Sequence, residues 1–230
     1  MERINLEAID TDGAIRDAAE NVSGDTRLSF LKKAGLTGGA ALSGGALLSA
    51  LTPAVAGAAT SRPPSSFGKG DIGILNYALT LEYLEAAFYN EAAASGAIKD
   101  PAVVNFLKIV QTDENKHVAF LKKALGSKAA KKPKFDFQGT TKDEAKFRAT
   151  SAVLENTGVR AYLGQAGNIT TPAYLKAAGS ILTIEARHAA VIGFLNGENQ
   201  KNTAPSGAFD KPASAKSILA AVKATGFIVG

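Results

Sequence analysis

From about Asp71 onward the chain is built of long helix-like stretches separated by short polar breaks. In the first stretch Leu75, Leu79, Glu82, Ala86 and Tyr89 are spaced 4, 3, 4 and 3, which lines one face of a helix. Start signals frame the others. Asp100-Pro101 and Thr171-Pro172 each put a capping side chain before a proline at the first helical position. Asp71 is placed to cap the first helix, and Thr141-Lys142-Asp143-Glu144 has the form of a capping box. These signals predict helices near residues 71–95, 101–125, 141–166 and 172–196. Ser214 to Thr225 reads as a short fifth helix whose Ile218, Leu219 and Val222 pack on the others. The fold class is all-α.

Two breaks are short, at 95–101 and 167–172, and make antiparallel hairpins. The third, from about Gly126 to Thr140, can span up to about 50 Å when extended. That is enough for a crossover between the second and third helices of a left-handed four-helix bundle. Its Lys128, Lys131, Lys132, Pro133 and Lys134 read as a solvated loop. No aromatic platform or nucleic-acid motif accompanies them, so nucleic acid is not an expected partner.

The N-terminal part differs. Residues 1–23 are polar and mixed in charge. Thr26-Arg27-Leu28-Ser29-Phe30-Leu31-Lys32-Lys33 precedes a Gly/Ala/Leu-rich run from Ala34 to Ala58 with small residues at its end. A basic flank, an apolar core and a small-residue end make an export signal. The run resembles a twin-arginine signal, with Leu28 where the second arginine would stand. The expected organisation is an export segment over 1–58, a linker over 59–70, the bundle over 71–196 and a C-terminal extension over 197–230. The expected location is therefore outside the cytoplasm.

The chain's only two histidines share one pattern, Glu114-Asn115-Lys116-His117 and Glu185-Ala186-Arg187-His188. On a helix, positions i and i+3 share a face, so each pair presents a carboxylate and an imidazole together. Glu82 precedes Glu114, and Glu155 precedes Glu185, in the two preceding helices. Each of these earlier glutamates is followed seven residues later by a tyrosine on the same face, Tyr89 and Tyr162. Glu82 and Glu114 are equidistant from a turn near Ile98, and Glu155 and Glu185 from one near Thr170. In antiparallel hairpins such residues sit at one height. Four carboxylates and two imidazoles can thus meet at one level. Buried in an apolar bundle without cations, they would carry a cost of several kcal/mol for each unpaired charge. The nitrogen and oxygen donors suit two metal ions, iron or manganese. Tyr89 and Tyr162 are the candidate catalytic residues beside the metals, read as core tyrosines hydrogen-bonded to a ligand carboxylate in preference to redox-active ones. Glu85, Glu91, Glu144 and Glu198 are read as ordinary surface glutamates.

Through Leu81 to Tyr89, Asp113 to His117, Glu155 to Tyr162 and Ile184 to His188, the chain resembles the ferritin-like superfamily. Within it, the chain is most similar to bacterial ferritin-like domain proteins related to plant desiccation-related proteins. The resemblance covers about Asp71 to Asn196. It implies that Glu82 and Glu155 are terminal ligands, that Glu114 and Glu185 bridge two metals, and that His117 and His188 each bind one. The symmetric set is similar to rubrerythrin-type and manganese-catalase-type centres. Peroxide or dioxygen is then the expected substrate, in protection against oxidative or desiccation stress.

Composition narrows the chemistry further. Zero cysteines exclude disulfides and a Cys-ligated iron centre within this chain as electron donor. Peroxide dismutation or slow metal oxidation is easier to run without a donor than a reductase cycle. Without residues 1–58, which hold five basic and seven acidic side chains, 21 basic groups face 14 acidic ones. Such a chain can lean on an anionic cell envelope. A homodimer is a separate expectation. The competing classes are a non-enzymatic stress protein with a structural metal site and an iron-storage protein.

Overall fold

A computed structural model describes residues 61–197 and 209–229. The export segment read over 1–58, and Glu198, lie outside the described residues. Five α-helices are found among those described: α1 (Gly70–Ser95), α2 (Pro101–Leu125), α3 (Glu144–Ala166), α4 (Pro172–Leu195) and α5 (Ala215–Thr225). Single 3-10 turns at Ser65–Phe67, Gly126–Lys128 and Thr140–Lys142 sit in the connections. The protein is an all-α helical bundle with a short C-terminal helix.

Local side-chain caps set the starts of α2, α3 and α5. Asp100 accepts the N–H groups of Ala102 (2.8 Å) and Val103 (3.2 Å) ahead of Pro101, so α2 opens where its sequence signal lies. Ser214 caps α5 by accepting Ser217 N–H at 3.2 Å. Gly96, at φ 61°, closes α1 in the left-handed conformation that glycine adopts without steric cost.

Thr171 is the N-cap of α4 but makes no side-chain capping bond, and two other expected caps do other work. Asp71 does not cap α1, whose N-cap is Lys69. Its carboxylate instead accepts the N–H groups of Thr170 (3.0 Å) and Thr171 (2.8 Å), tying α1 to the turn before α4. The Thr141–Glu144 capping box does not form either. Thr141 is in the 3-10 turn, and its hydroxyl donates to Glu91. Asp143 is the N-cap of α3, accepting Lys146 N–H at 2.9 Å. Glu144 reaches away to Lys99, Asp100 and Arg148. In each case a tertiary partner outcompetes the local one.

The connection from α2 to α3 crosses the bundle. At its start, Asn76 in α1 donates to Lys128 C=O (3.0 Å) and accepts Ala130 N–H (2.8 Å). At its end, Ser95, the last residue of α1, donates to Thr141 C=O at 2.9 Å. From residue 76 to residue 95 a helix rises about 28 Å. The connection therefore runs the length of α1, and α3 starts at the end of α1 where α2 also starts. Lysines 128, 131, 132 and 134 of this segment are exposed, as expected for a solvated loop. Phe137, however, is a core residue, 5.4 Å from the Phe88 ring and 5.4 Å from that of Phe227. Burying an aromatic ring of that size fixes the crossover to the bundle.

The core joins Tyr77, Leu81, Leu84, Phe88 and Tyr89 of α1 to Val103, Phe106 and Val110 of α2, Phe147 and Leu154 of α3, and Ile192 of α4. Ile218 and Val222 of α5 join it, with Leu219 partly buried beside them. The α5 segment is docked through backbone. Ala213 N–H donates to Arg160 C=O at 3.0 Å, beside Gly164, where a Cβ would lie 2.0 Å from the Ala213 carbonyl oxygen.

Candidate metal centre

Each long helix contributes to one buried cluster at mid-bundle. α1 supplies Glu82, α2 Glu114 and His117, α3 Glu155, and α4 Glu185 and His188. All four carboxylates are completely buried, and His117 and His188 are 9% and 6% exposed. The spacing explains the convergence. Glu114 with His117 and Glu185 with His188 are i, i+3 pairs on inward faces, and the hairpins bring Glu82 and Glu155 to the same height.

The imidazoles sit among the carboxylates. His117 Nδ1 lies 3.2 Å from Glu82 Oε2, 3.2 Å from Glu114 Oε2 and 3.3 Å from Glu185 Oε1. His188 Nδ1 lies 3.2 Å from Glu114 Oε1 and 3.2 Å from Glu155 Oε2. Its other nitrogen faces Asp113 Oδ2 at 3.6 Å. The donors fall into two sets, Glu82, Glu114, His117 and Glu185, and Glu114, Glu155, Glu185 and His188. Within each set the ligand atoms lie within 4.8 Å of one another. Glu114 and Glu185 belong to both.

The tyrosines brace this arrangement crosswise. Tyr89 of the first hairpin donates to Glu155 of the second, and is 2.7 Å from Ser151 Oγ. Tyr162 of the second hairpin donates to Glu82 of the first. Glu82 and Glu155 are thus each held by a tyrosine from the opposite half. Burial, reinforced by the neighbouring carboxylates, raises both phenols well above their ordinary range, so they stay protonated and available as donors.

The electrostatics are those of acids crowded out of water. Burial first, and then the charge of Glu82, pushes Glu114 up to about 7. Burial and then Glu114 push Glu185 well above the usual carboxylate range. Burial pushes Glu82 the same way, but His117 outweighs it and leaves the Glu82 carboxyl below its ordinary value. Burial disfavours charge on His188, yet Glu114 and Glu155 raise it to about 10. Beyond the charge contacts to the two imidazoles, several donor atoms have no hydrogen bond within the protein: Glu82 Oε2, Glu114 Oε1, Glu155 Oε2, both oxygens of Glu185, and His188 Nδ1. All point into the same cluster. Buried polar atoms left unpaired cost about 1–3 kcal/mol each, and cations among them would remove that cost. The donor set therefore fits metal ions.

Three residues at the cluster were not expected there. Glu85 is not on the surface but 3% exposed, and burial together with Glu185 raises its carboxyl well above the ordinary range. Its signal was its place three residues after Glu82, on the same helix face. Gly158 holds an equivalent position after Glu155. A Cβ there would lie 2.7 Å from Glu185 Oε2, so only glycine leaves that carboxylate its room. Ser151, fully buried against Tyr89, carried no signal in sequence. Glu91 and Glu144 are partly exposed, each with a hydrogen-bond partner.

A search of curated proteins finds no match to this chain. The family model of the ferritin-like domain matches residues 70–198, which span α1 to α4, all six clustered donors and more than half of the chain. The chain belongs to the ferritin-like domain family.

Proposed function

We propose that the bundle holds two ions of iron or manganese and acts on peroxide or dioxygen as a protective oxidoreductase. The observation that carries this reading is the sharing of Glu114 and Glu185 between two four-donor sets. Two carboxylates common to both sets would be shared by the two ions. Glu82 with His117, and Glu155 with His188, complete one set each. Nitrogen and oxygen donors without thiolate suit iron and manganese.

Bound there, such ions supply the electron-transfer chemistry that peroxide or dioxygen requires. The chain's own part is to hold the donors in place and keep water out. Tyr89 and Tyr162 orient Glu155 and Glu82 through their hydroxyl protons, and the full burial of all four carboxylates excludes bulk solvent. The chain has no cysteine and so no Cys-ligated donor of its own. Dismutation, in which two peroxides give water and dioxygen, needs no outside reductant. We take it as the preferred reaction.

Dioxygen evolution from peroxide by the iron- or manganese-loaded protein tests the proposal. Turnover above that of the free ions supports it. Equal rates favour the non-enzymatic stress protein with a structural metal site. We further propose that the activity is exercised outside the cytoplasm, as the signal-like residues 1–58 suggest. N-terminal sequencing of protein recovered from the cell envelope tests that.

A further inference from the structure

The two halves of the bundle repeat one another at the cluster in all six donors and both tyrosines, and differ in the side chains around them. The offset that carries Glu82 to Glu155 and Tyr89 to Tyr162 carries Glu85 to Gly158. One half has a fifth carboxylate where the other has no side chain. The two positions also meet in space. From the point where a Cβ on Gly158 would stand, Glu85 Oε1 is 3.4 Å away and Glu185 Oε2 2.7 Å. The glycine leaves a recess on α3 that the Glu85 and Glu185 carboxylates occupy together.

Glu85 has no structural occupation that would explain its burial. It is 3% exposed, and among the described residues none forms a hydrogen bond or an ion pair with it. Its strongest electrostatic neighbours are Glu185, Glu114, Glu155 and Glu82, all acids of the cluster. An ionised carboxylate in that company is stable only beside positive charge, and without it the group takes up a proton. The imidazoles are already engaged, His117 by Glu82, Glu114 and Glu185, and His188 by Glu114 and Glu155.

Resting on the two-metal reading, we propose that Glu85 is a seventh metal-ligating side chain, and that it makes the two metal positions unequal. The six repeated donors give each position the same complement: one terminal carboxylate, one imidazole and a share of two bridging carboxylates. Three or four protein donors leave an octahedral ion incomplete. A fifth carboxylate from one side adds a hard oxygen donor and a negative charge to one position only. Four carboxylates balance two divalent ions. Five carry one negative charge more, which favours the pair when its ions are more highly charged.

The test is stepwise titration of the metal-free full-length protein with Mn²⁺, read by calorimetry and by the spin-resonance signal of bound Mn²⁺, with no activity measurement involved. Wild type is expected to bind two ions in unequal steps. Glu85→Gln is expected to weaken one step by about tenfold or more while leaving the other, the scale on which lost ligand-sphere groups act. If circular dichroism shows Glu85→Gln to be poorly helical, Glu85→Met, of similar length and uncharged, takes the same measurement. Both steps unchanged, or both weakened alike, overturns the seventh ligand and leaves the two-metal reading standing. A wild-type protein that takes up no Mn²⁺ and no Fe²⁺ overturns that reading, and Glu85's ligand role with it.

Discussion

The Tyr162 hydroxyl donates to the carboxylate of Glu82, so a residue near the end of α3 holds a residue in the middle of α1. Tyr89 and Glu155 make the reciprocal contact. These two buried bonds pass through the cluster from opposite sides and couple the two hairpins that carry it. They make the positions of the Glu82 and Glu155 carboxylates a property of the whole bundle.

Tyr162→Phe removes a donor and leaves Glu82 Oε1 buried without one. The metal-free protein is expected to lose about 1–3 kcal/mol of stability by urea denaturation. Metal affinity is expected to fall about 10–100-fold by chelator competition. An unchanged affinity would mean that Glu82 needs no orienting partner.

Three glycines are expected to respond differently to alanine. At Gly164 the new Cβ would stand 2.0 Å from the Ala213 carbonyl oxygen, a backbone atom that cannot swing aside. Gly164→Ala should therefore displace the α5 segment and expose Ile218 and Val222. That would be seen as faster proteolysis near residue 213 and a loss of several kcal/mol. At Gly158 the atom in the way is the end of a side chain, Glu185 Oε2. Gly158→Ala should cost only about 1–3 kcal/mol but weaken metal binding. At Gly179, inside α4, nothing lies within 4 Å of the added methyl. Gly179→Ala should stabilise the protein by about 0.5–1 kcal/mol. Thermal unfolding of the three variants gives the order.

Acid should loosen the joint between the α1–α2 turn and α3. The N–H groups of Asp100 and Lys99, and then Arg148, bring the Glu144 carboxyl from its ordinary 4.5 down to about 2. A carboxyl lowered in the folded state contributes stability that is fully present above the unfolded value and is lost as pH falls through the folded one. The difference in melting temperature between wild type and Glu144→Gln is therefore expected to be constant above about pH 5 and to shrink between 4.5 and 2. A difference that persists at pH 2 would show that Glu144 acts by packing and not by charge.

The features readable from sequence were the ones set within a few residues. Glu-x-x-His places two donors on one helix face whatever the helix packs against, and Asp100-Pro101 starts α2 by bonds within its own first turn. The height of the cluster followed from counting outward from two turns. The features missed depend on distant partners. Asp71 and Glu144 have the local form of caps, but the threonines before α4 and the backbone before α2 claim them. Glu85 resembles any solvated helix glutamate until Gly158, on another helix, supplies its room. Phe137 lies just beyond a lysine-rich run and is buried only because the crossover passes over Phe88.

The central claim, two metal ions held in the two four-donor sets, is met most directly by elemental analysis of protein loaded with iron or manganese, comparing wild type with His188→Ala. His188 is the only nitrogen in the set with Glu155, and His117 the only one in the set with Glu82. The account predicts two ions per wild-type chain and close to one in His188→Ala, with helicity retained. Equal metal content in the two proteins, or none in wild type, would contradict it.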